Sequence, residues 1–536
     1  MEMRRWNGWG DNTVTFPVTD AARAFLRQRI GDGAAPRDAT REEVLREVGP
    51  SRIRRANPLF NDDAALRLDH SRGQSFPDWV AMKSGRVGPV ADAVALPQSH
   101  DEVTAAVAEA ARLGAIIVPY GGGTSVVGHL GVPHGDRPVV NLSLERMDRL
   151  LAFDETTMTA TFGAGTPGPR IEAQLRPHGC LLGHFPQSYE YATLGGWVVT
   201  RSSGQQSYRY GRIEQLFHAG RVATPKGEWV VGGVPASSAG PDLREALMGS
   251  EGRLGLLTEV TARVRRLPEQ ERFHGVFFPS WPAGLDAVRD LVQHDVPVSM
   301  LRLSNEVETE TQLALVQGHA TALKWLQRYL GLRGIGAGQC LLMAGITGTP
   351  RECAVQKRML LDIVRRHGGV HVGPMLGAGW AKNRFRGPYL RNALWDEGYA
   401  IDTLETCVMW PQATPVMRAI EAAVQGVFAA DNERAHVFTH LSHVYRQGCS
   451  VYCTLVFRSS GDPDTDLARW HRFKRAASDA IVAHGGTISH QHGVGIDHAP
   501  WLPAEKGAAG MDLIRAMARA FDPDGMMNPG KLFADA

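Results

Sequence analysis

Ten residues decide the fold of this chain: Pro119-Tyr120-Gly121-Gly122-Gly123-Thr124-Ser125-Val126-Val127-Gly128. The apolar run Ala115-Ile116-Ile117-Val118 directly before them is typical of a short strand. Because three consecutive residues lack side chains, successive backbone N–H groups can converge on an anion where the strand ends. The stretch has neither the lysine of a P-loop nor the spacing of the Rossmann fingerprint. It predicts a loop for a dinucleotide pyrophosphate, with a glycine turn that binds nothing as the alternative.

The composition indicates a globular protein of more than one domain. Its 536 residues exceed what one hydrophobic core usually supports, so two or three domains are expected. Hydrophobic residues make up 43% and charged residues 21% of the chain, as in ordinary globular proteins. The net charge of +2 gives no surplus of cations, so no nucleic-acid partner is expected. The six cysteines contain no CxxC pair, which favours reduced thiols over a disulfide framework.

The sequence predicts a cytoplasmic location, with peripheral membrane contact as an open alternative. No charged segment followed by an apolar one begins the chain, and no apolar run approaches the roughly 20 residues that span a bilayer. The segment Arg4-Arg5-Trp6-Asn7-Gly8-Trp9-Gly10 combines cations with aromatic rings suited to a water–lipid boundary. This segment is the candidate for membrane contact.

Strand and helix patterns alternate from Val87 to about Leu267, after a polar helical segment that ends near Ser84. Ser99 and Glu102 form a capping box that begins a helix after the first strand. The region is therefore predicted to be a mixed helix and strand domain.

Two further stretches of small and hydroxyl residues lie in this region: 186–204 (PQSYEYATLGGWVVTRSSG) and 248–260 (MGSEGRLGLLTEV). Their glycines permit close approach of the backbone to a ligand. The string Gly163-Ala164-Gly165-Thr166-Pro167-Gly168 matches GxGxxG formally, but it carries a proline inside the turn. It is predicted to be an ordinary turn.

The order of these motifs, PYGGGTSVVG, TLGGWVVTRSSG, YGRIEQL and MGSEGRLGLLTEV, resembles the alkyldihydroxyacetonephosphate synthase family. This is a branch of the vanillyl-alcohol-oxidase or PCMH-type FAD-binding proteins. The opening RWNGWG and the late string ISHQHGVG extend the resemblance to both ends of the chain.

The resemblance implies an α+β fold with a PCMH-type FAD-binding domain of two α+β subdomains, an antiparallel-sheet cap domain and helical terminal segments. The expected parts are a helical lead-in at 1–86, the FAD-binding domain at 87–267, the cap or substrate domain at 268–430, and a segment completing cap and active site at 431–536. A homodimer with non-covalently bound FAD is expected. The implied FAD contacts come from the three loops: Pro119, Gly121, Gly122, Gly123, Thr124, Ser125, Gln187, Ser188, Thr193, Gly195, Gly196, Thr200, Ser203, Glu251, Gly252 and Leu257.

The implied reaction replaces the acyl chain of acyl-dihydroxyacetone phosphate, a lipid phosphate, with a fatty alcohol, without net oxidation. In the family mechanism a base removes a proton beside the ketone, and flavin N5 captures the carbon as the carboxylate leaves. Histidine or an activated tyrosine suits the proton transfer, and arginine suits the phosphate. Motif matches assign catalysis to Tyr452, His490, His492, His184 and Arg391, and substrate binding to Arg302, Arg391 and Gln491.

The sequence departs from the family pattern at Gln491, where the family has a histidine between two others. A glutamine can hydrogen-bond but cannot shuttle protons at neutral pH. Either the middle position serves only in positioning, or this protein acts on another substrate.

The sequence leaves two other functional classes as alternatives. The string Asn528-Pro529-Gly530-Lys531 resembles the C-terminus of FAD-linked dehydrogenases of 2-hydroxy acids, which share the fold. Their metal-binding members carry an HxGDGNxH-like string that is missing here, and the spacing of His436, His440 and His443 on a helix lacks a fourth ligand, so no metal is expected. A flavin-free binding protein is the third class, and the intact glycine loops argue against it.

Overall fold

The computed structural model describes residues 4–53, 58–315 and 320–534. Four helices precede the first strand: α1 (Asp20–Ile30), α2 (Arg41–Glu47), α3 (Ala64–His70) and α4 (Phe76–Ser84). Helix α4 begins at Ser75, whose hydroxyl accepts the Asp78 N–H while the Asp78 carboxylate accepts the Ser75 N–H. The buried rings of Phe76 and Trp79 join the hydrophobic core of the cap domain. The lead-in is therefore fixed to the cap.

The first subdomain for FAD contains β1 (Ala93–Ala95), α5 (His100–Arg112), β2 (Ile116–Tyr120) and β3 (Val139–Ser143). Its three strands are parallel in the order β1-β3-β2. Helix α5 begins where the sequence predicts, because the Ser99 hydroxyl accepts the Glu102 N–H. The Glu102 carboxylate accepts the Gln98 N–H instead of the Ser99 N–H, so the predicted capping box is only half formed. Strand β2 runs two residues past the apolar run, so the glycine loop leaves directly from its end at Tyr120.

The second subdomain is a five-stranded antiparallel sheet in the order β4-β5-β9-β7-β8, with short helices at its edge. Its elements are β4 (Leu150–Asp154), β5 (Thr159–Gly163), α6 (Gly168–Leu175), β6 (Cys180–Leu181), α7 (Leu194–Val199), α8 (Ser207–Tyr210), α9 (Ile213–Leu216), β7 (Phe217–Thr224), β8 (Gly227–Gly232), α10 (Leu243–Leu247), β9 (Leu256–Arg263) and β10 (Arg265–Arg266). Strand β6 pairs with β10 alone. The loop before α7 and the loop before β9 are the second and third glycine-containing stretches of the sequence.

The cap is a seven-stranded antiparallel sheet in the order β14-β11-β13-β12-β16-β17-β15, covered by helices. Its elements are β11 (Gln270–Phe278), α11 (Trp281–Gln293), β12 (Met300–Ser304), α12 (Glu306–Leu315), α13 (Ala320–Leu332), β13 (Cys340–Gly348), α14 (Pro350–Arg366), β14 (Val370–Gly373), α15 (Met375–Asn383), α16 (Gly387–Asp396), β15 (Tyr399–Met409), α17 (Ala413–Ala430), β16 (Ala435–Leu441) and β17 (Gly448–Arg458). Two of its strands, β16 and β17, belong to the C-terminal segment 431–536. Strand β17 lies between β16 and the edge strand β15.

The C-terminal segment joins the cap to the FAD-binding domain through α18 (Pro463–Ala483) and α19 (Leu502–Phe521), the latter interrupted at Gly507. After α19 the chain pairs with β2, where Ile117 donates to the Met526 carbonyl at 2.7 Å and accepts from Asn528 at 2.8 Å. The loop between α18 and α19 lies between the cap and the FAD-binding domain. It places the histidine motif beside the flavin loops. Two α+β subdomains, an antiparallel cap and helical ends confirm the predicted fold class.

The N-terminal segment packs inside the protein instead of presenting its rings to solvent. Trp9 is 5% exposed, its backbone N–H donates to Oδ1 of Asn392 at 3.0 Å, and its ring meets Tyr191 edge-on. Trp6 packs against the cluster formed by Val44 and its neighbours. This segment is therefore poorly placed for the predicted membrane contact. Among the described residues, no helix combines the length and apolar character that crossing a bilayer needs.

Candidate active site

The three glycine-containing loops and the C-terminal motif line a cavity, here called the flavin cavity. Within the described part of the chain, the backbone N–H groups from Gly121 to Ser125 donate no hydrogen bond to a protein atom. Unpaired amides lining a cavity are suited to an anion such as a pyrophosphate. Most of the predicted FAD contacts line it: Pro119, Gly121, Gly122, Gly123, Thr124, Ser125, Ser188, Thr193, Gly195, Gly196, Thr200, Glu251, Gly252 and Leu257.

The glycine loop is compact because its residues cannot carry side chains. A Cβ on Gly122 would overlap the carbonyl oxygen of Tyr191, and Gly123 has a left-handed φ of +65°. The loop after β2 therefore lies directly against the loop before α7. Free amides and a close approach of two backbone loops at this cavity together fit the phosphates of FAD.

Two predicted FAD contacts lie away from the flavin cavity. The Gln187 amide donates to the Arg384 carbonyl at 3.0 Å, which turns that side chain toward the cap. Ser203 is 1% exposed and lies behind the lining, where its neighbour Ser202 takes the predicted place.

His184, predicted to be catalytic, also lies behind the cavity wall. It is fully buried, with its Nε2 3.2 Å from the Ser202 hydroxyl and its ring 4.7 Å from Trp197. Burial, with a smaller effect from Arg212, lowers the pKa of His184 to about 3. The imidazole is therefore neutral and supports the loop that carries Ser202.

Glu251 lines the flavin cavity, but other groups already use its carboxylate. It accepts the N–H groups of Val494 at 2.5 Å and Gly495 at 2.8 Å, and its Oε2 lies 2.9 Å from Nε2 of His129. Nδ1 of His129 lies 2.7 Å from the Ser125 hydroxyl. This chain of contacts ties the third loop, the first loop and the C-terminal motif together, so Glu251 positions the histidine motif beside the cofactor site.

Tyr452 lies on β17 among the residues here called the reaction cluster: Tyr452, His492, Glu405, His490 and Tyr445. Its ring stacks on His440 at 4.9 Å and meets His492 edge-on at 6.0 Å. Glu405 is its direct cross-strand neighbour on β15. His492 also lines the flavin cavity, so the structure brings Tyr452, His490 and His492, which the sequence predicts to be catalytic, together beside its cap-side wall.

Glu405 and His490 form a buried hydrogen-bonded chain. Nδ1 of His490 lies 3.0 Å from Oε1 of Glu405, and its Nε2 lies 2.6 Å from the Tyr445 hydroxyl. A carboxylate accepts only, so Nδ1 carries the proton and Nε2 accepts from Tyr445. Arg212 donates to the His490 carbonyl at 3.0 Å and brings a fixed positive charge to the chain.

Burial keeps the cluster's imidazoles and phenol neutral. It lowers the pKa of His490, with Arg212 acting in the same direction. It also lowers the pKa of His492, which the nearby Glu405 carboxylate partly counteracts. Burial, and then Glu405, raise the pKa of the Tyr452 hydroxyl. At neutral pH the site therefore holds proton acceptors and a proton donor side by side.

The two predicted phosphate arginines differ in how free they are. Arg302 is paired with the buried carboxylate of Glu308, and its Nη2 lies 3.1 Å from Nδ1 of His440. Arg391 stacks 4.1 Å over the Trp79 ring and donates to the Gln74 carbonyl at 2.5 Å. Among described residues, no carboxylate forms an ion pair with Arg391.

Burial lowers the pKa of Arg391 to about 10, and the charges of Asp402 and Asp78 partly offset this. The guanidinium therefore stays charged at neutral pH. Of the two arginines, Arg391 retains more capacity for an anionic ligand.

Gln491 lies where the flavin cavity meets a second cavity of about 570 Å³. Both cavities also share Thr200 and Glu251. The apolar part of the second cavity is lined by Met248, Leu254, Val494, Leu502, Ile514, Met517, Ala518, Leu532 and Phe533. The departure from the family pattern thus falls at the junction of two cavities.

Sequence reasoning missed Glu405, Tyr445 and Arg212. An acidic residue in the apolar strand DTLETCVM was an available signal for Glu405, and Arg212 lies inside the quoted string YGRIEQL. Their partners are distant in the chain, so no local pattern joins them.

The sequence analysis considered a zinc site formed by His436, His440 and His443 on a helix, and the structure does not form that helix. His436 and His440 belong to strand β16, and Nε2 of His436 lies 2.8 Å from the Thr311 hydroxyl. Potential ligand atoms of Glu405, His443 and His490 do lie within 4.8 Å of one another. Both nitrogens of His490 are already hydrogen-bonded, to Glu405 and Tyr445. This arrangement favours a role in proton transfer over metal binding.

Comparison with known proteins supports the same interpretation. A model of the FAD binding domain matches residues 91–233, and one of the C-terminal domain of FAD linked oxidases matches residues 267–532. The chain is 31% identical to alkyldihydroxyacetonephosphate synthase of Trypanosoma brucei brucei, over 98% of this chain and 92% of that protein. It is 28% identical to the enzyme of the same name from Dictyostelium discoideum, over 98% and 93%.

A solved structure of alkyldihydroxyacetonephosphate synthase superposes with a TM-score of 0.82 at 26% identity, covering 98% of both chains. The predicted FAD cofactor and enzyme class are confirmed by these matches. The chain belongs to the alkyldihydroxyacetonephosphate synthase family of FAD-dependent enzymes.

Proposed function

We propose that this enzyme exchanges the acyl chain of acyl-dihydroxyacetone phosphate for a fatty alcohol, giving an ether lipid precursor and a free fatty acid. The observation that carries the proposal is the neutral His492 at the wall of the flavin cavity, with the neutral Tyr452 ring edge-on to it at 6.0 Å. Exchange needs proton transfers at the substrate but no net electron transfer, and these groups are suited to proton transfer. The nearly full-length similarity to two synthases supports the same reaction.

Bound FAD would supply its N5 atom as the temporary acceptor of the substrate carbon. His492 is the proposed base that takes the proton beside the ketone, because its imidazole is neutral. The Tyr452 hydroxyl then gives a proton to, or hydrogen-bonds, the oxygen that gains charge. The bond from this carbon to the acyl oxygen breaks in the first half, and the fatty acid leaves with the proton from Tyr452. In the second half the fatty alcohol gives its proton to the Tyr452 oxygen as it forms the new bond to the carbon, in place of the bond that FAD would hold, and His492 returns its proton to that carbon. Glu405 and His490 hold the loop of His492 in place.

Arg391 is the proposed partner of the substrate phosphate. Its guanidinium is held by stacking on Trp79 and lacks a carboxylate partner among the described residues. A planar, charged fork is suited to two phosphate oxygens. Arg302 would have to leave its ion pair with Glu308 to do the same.

The second cavity is the proposed site for the long acyl or alkyl chain. Its apolar lining begins where Gln491 meets the flavin cavity, so a chain there would start beside the reacting atoms. Burying each methylene contributes about 0.8 kcal/mol, which favours a long chain. Ile514→Trp should therefore shift preference toward shorter alcohols, whereas Leu513→Trp on the exposed side of α19 should not.

The proposal is tested by mixing the FAD-loaded enzyme anaerobically with acyl-dihydroxyacetone phosphate, and separately with D-2-hydroxy acids, while the visible flavin band is followed. The acyl substrate should bleach the band, and labelled fatty alcohol should restore it with label in an ether product. The Tyr452→Phe enzyme is the matched control and should bleach about 10²–10⁴-fold more slowly. Lasting bleaching by a hydroxy acid alone would contradict the proposal.

The alternative of a 2-hydroxy acid dehydrogenase is not favoured. Both relatives compared above are synthases that match along almost the whole chain. The acidic residue of the HxGDGNxH-like string is also missing from the loop after β16, where His443 begins a hydrogen-bonded turn.

A further inference from the structure

Helix α13 carries apolar side chains on two separate faces. Leu326 and Leu330 face inward, where they pack in the cluster formed by Phe277, Leu341 and Val370. On the other side Trp325, Tyr329 and Leu332 are 64%, 42% and 81% exposed. A surface helix of a globular protein normally turns polar residues to solvent, so the outer face of α13 requires a separate explanation.

The exposed side chains form one continuous stripe. Trp325, Tyr329 and Leu332 follow one another at spacings of four and three residues, which places them on the same face of a helix. The stripe is short, and about 20 residues a side are typical of a stable protein interface. Its size is better suited to insertion into a surface than to a protein partner.

Cations flank the stripe and no acidic residue accompanies them. Residues 320–333 contain Lys324, Arg328 and Arg333 but neither Asp nor Glu, although the whole chain has a net charge of only +2. The Arg328 guanidinium lies 5.8 Å from the Trp325 ring centre, and Arg333 donates to the Tyr329 hydroxyl at 3.2 Å. Local positive charge is complementary to anionic lipid headgroups, and aromatic rings beside cations favour the boundary between headgroups and acyl chains.

We infer that the outer face of α13, formed by Trp325, Tyr329, Leu332 and the three flanking cations, docks on an anionic lipid surface. The rings and Leu332 enter the headgroup region, and the cations contact lipid phosphates. This inference replaces the N-terminal segment, whose Trp9 is buried, as the site of membrane contact. It does not depend on the proposed reaction, because docking needs neither substrate nor turnover.

The test is sedimentation of the FAD-loaded protein with vesicles of phosphatidylcholine and phosphatidylglycerol in equal parts, and with phosphatidylcholine alone. Wild type should bind the anionic vesicles, and binding should weaken with added salt because exposed charges are screened. Trp325→Ser/Leu332→Ser and Lys324→Gln/Arg328→Gln should each bind at least about tenfold more weakly. Leu513→Ser/Val230→Ser removes two apolar side chains elsewhere that are 61% and 63% exposed, and it should bind like wild type.

Two results would overturn the inference: no binding of wild type to anionic vesicles, or wild-type binding by both α13 variants. Flavin absorbance and the Tm of each variant establish that it is folded, and the charge variant leaves the apolar packing untouched. Elution volume without lipid is measured for all four proteins. If the elution volume changes only for Trp325→Ser/Leu332→Ser, the stripe is an interface between copies of this chain. That result would also contradict lipid docking.

Discussion

The flavin cavity and the reaction cluster share a wall at His492, but they are built from different kinds of atom. The cavity's first loop offers backbone amides from Gly121 to Ser125 and almost no side chains. The cluster offers buried carboxylate, imidazole and phenol groups, brought from β15, β17 and the loop before α19. Binding of the cofactor therefore depends on where side chains are missing, and the proposed chemistry depends on which side chains meet.

This difference predicts how each region fails. A side chain added to the glycine loop prevents this loop from packing against the loop before α7. The cofactor site is then expected not to form. A polar atom removed from the cluster leaves cofactor binding intact and changes turnover alone.

The largest effect is expected from Gly122→Ala. The new methyl group would overlap the Tyr191 carbonyl, a backbone atom that cannot move aside without shifting its loop. We expect at least about tenfold less FAD in the purified protein, together with loss of activity. FAD content is measured by absorbance after denaturation. Gly49→Ala is the control, since an added Cβ there meets no atom within 4 Å. Normal FAD content in Gly122→Ala would refute the role of the compact loop.

Tyr452→Phe should leave FAD bound and lower kcat by about 10²–10⁴-fold, the usual range for loss of a group that transfers protons. Bound FAD and kcat for the exchange are measured on the same preparation. Tyr208→Phe, which alters a half-buried tyrosine of α8, should keep normal kcat. Near-normal turnover by Tyr452→Phe would remove this hydroxyl from the chemistry.

Glu405→Gln should lower kcat by roughly ten- to a hundredfold, because the amide no longer orients the His490 tautomer as a carboxylate does. The pH profile gives a second readout. Glu405 raises the pKa of His492, so its loss should move the acid limb of kcat to lower pH. Glu421→Gln changes another buried carboxylate, which accepts from the Thr439 hydroxyl at 2.8 Å, and should leave the acid limb in place. An unshifted acid limb of kcat in Glu405→Gln would show that Glu405 does not set the pKa of the catalytic base.

The smallest effect is expected from His184→Gln, behind the side of the flavin cavity that Ser202 and Trp197 line. Its folded pKa of about 3 lies below the unfolded value of about 6.5, so the unfolded chain binds the proton first as pH falls. Stability from this group is complete above about pH 6.5 and decreases toward pH 3. Between pH 7 and 5 the Tm of wild type should fall about 2 °C further than that of the variant. His134→Gln, an exposed histidine, should follow wild type, and an identical slope in His184→Gln would contradict burial as the cause.

The same contrast explains what the sequence could predict. A glycine loop is local, so PYGGGTSVVG alone indicated the strand end and the anion site that β2 and the flavin cavity now contain. The boundary of helix α5 at Ser99 was equally local. In contrast, Glu405 meets His490 only because β15 pairs with β17 and the loop before α19 folds back on them.

Side chains that turn away from their expected ligand were also beyond the sequence. Gln187 and Ser203 lie in a motif with the right composition, but hydrogen bonding to the cap and burial behind Ser202 place them outside the cavity. The carboxylate of Glu251 is used by backbone amides of the C-terminal motif rather than left free for the cofactor. Such competition between partners depends on the tertiary structure.

The central claim is that the cluster moves protons while the reaction as a whole transfers no electrons. It is tested most directly by counting anaerobic turnovers with acyl-dihydroxyacetone phosphate and labelled fatty alcohol, with no electron acceptor present. The account predicts many ether products per bound FAD, with the oxidised flavin band recovered when the acyl substrate is consumed. Reaction that stops at one product per FAD, and resumes only when an electron acceptor is added, would contradict it.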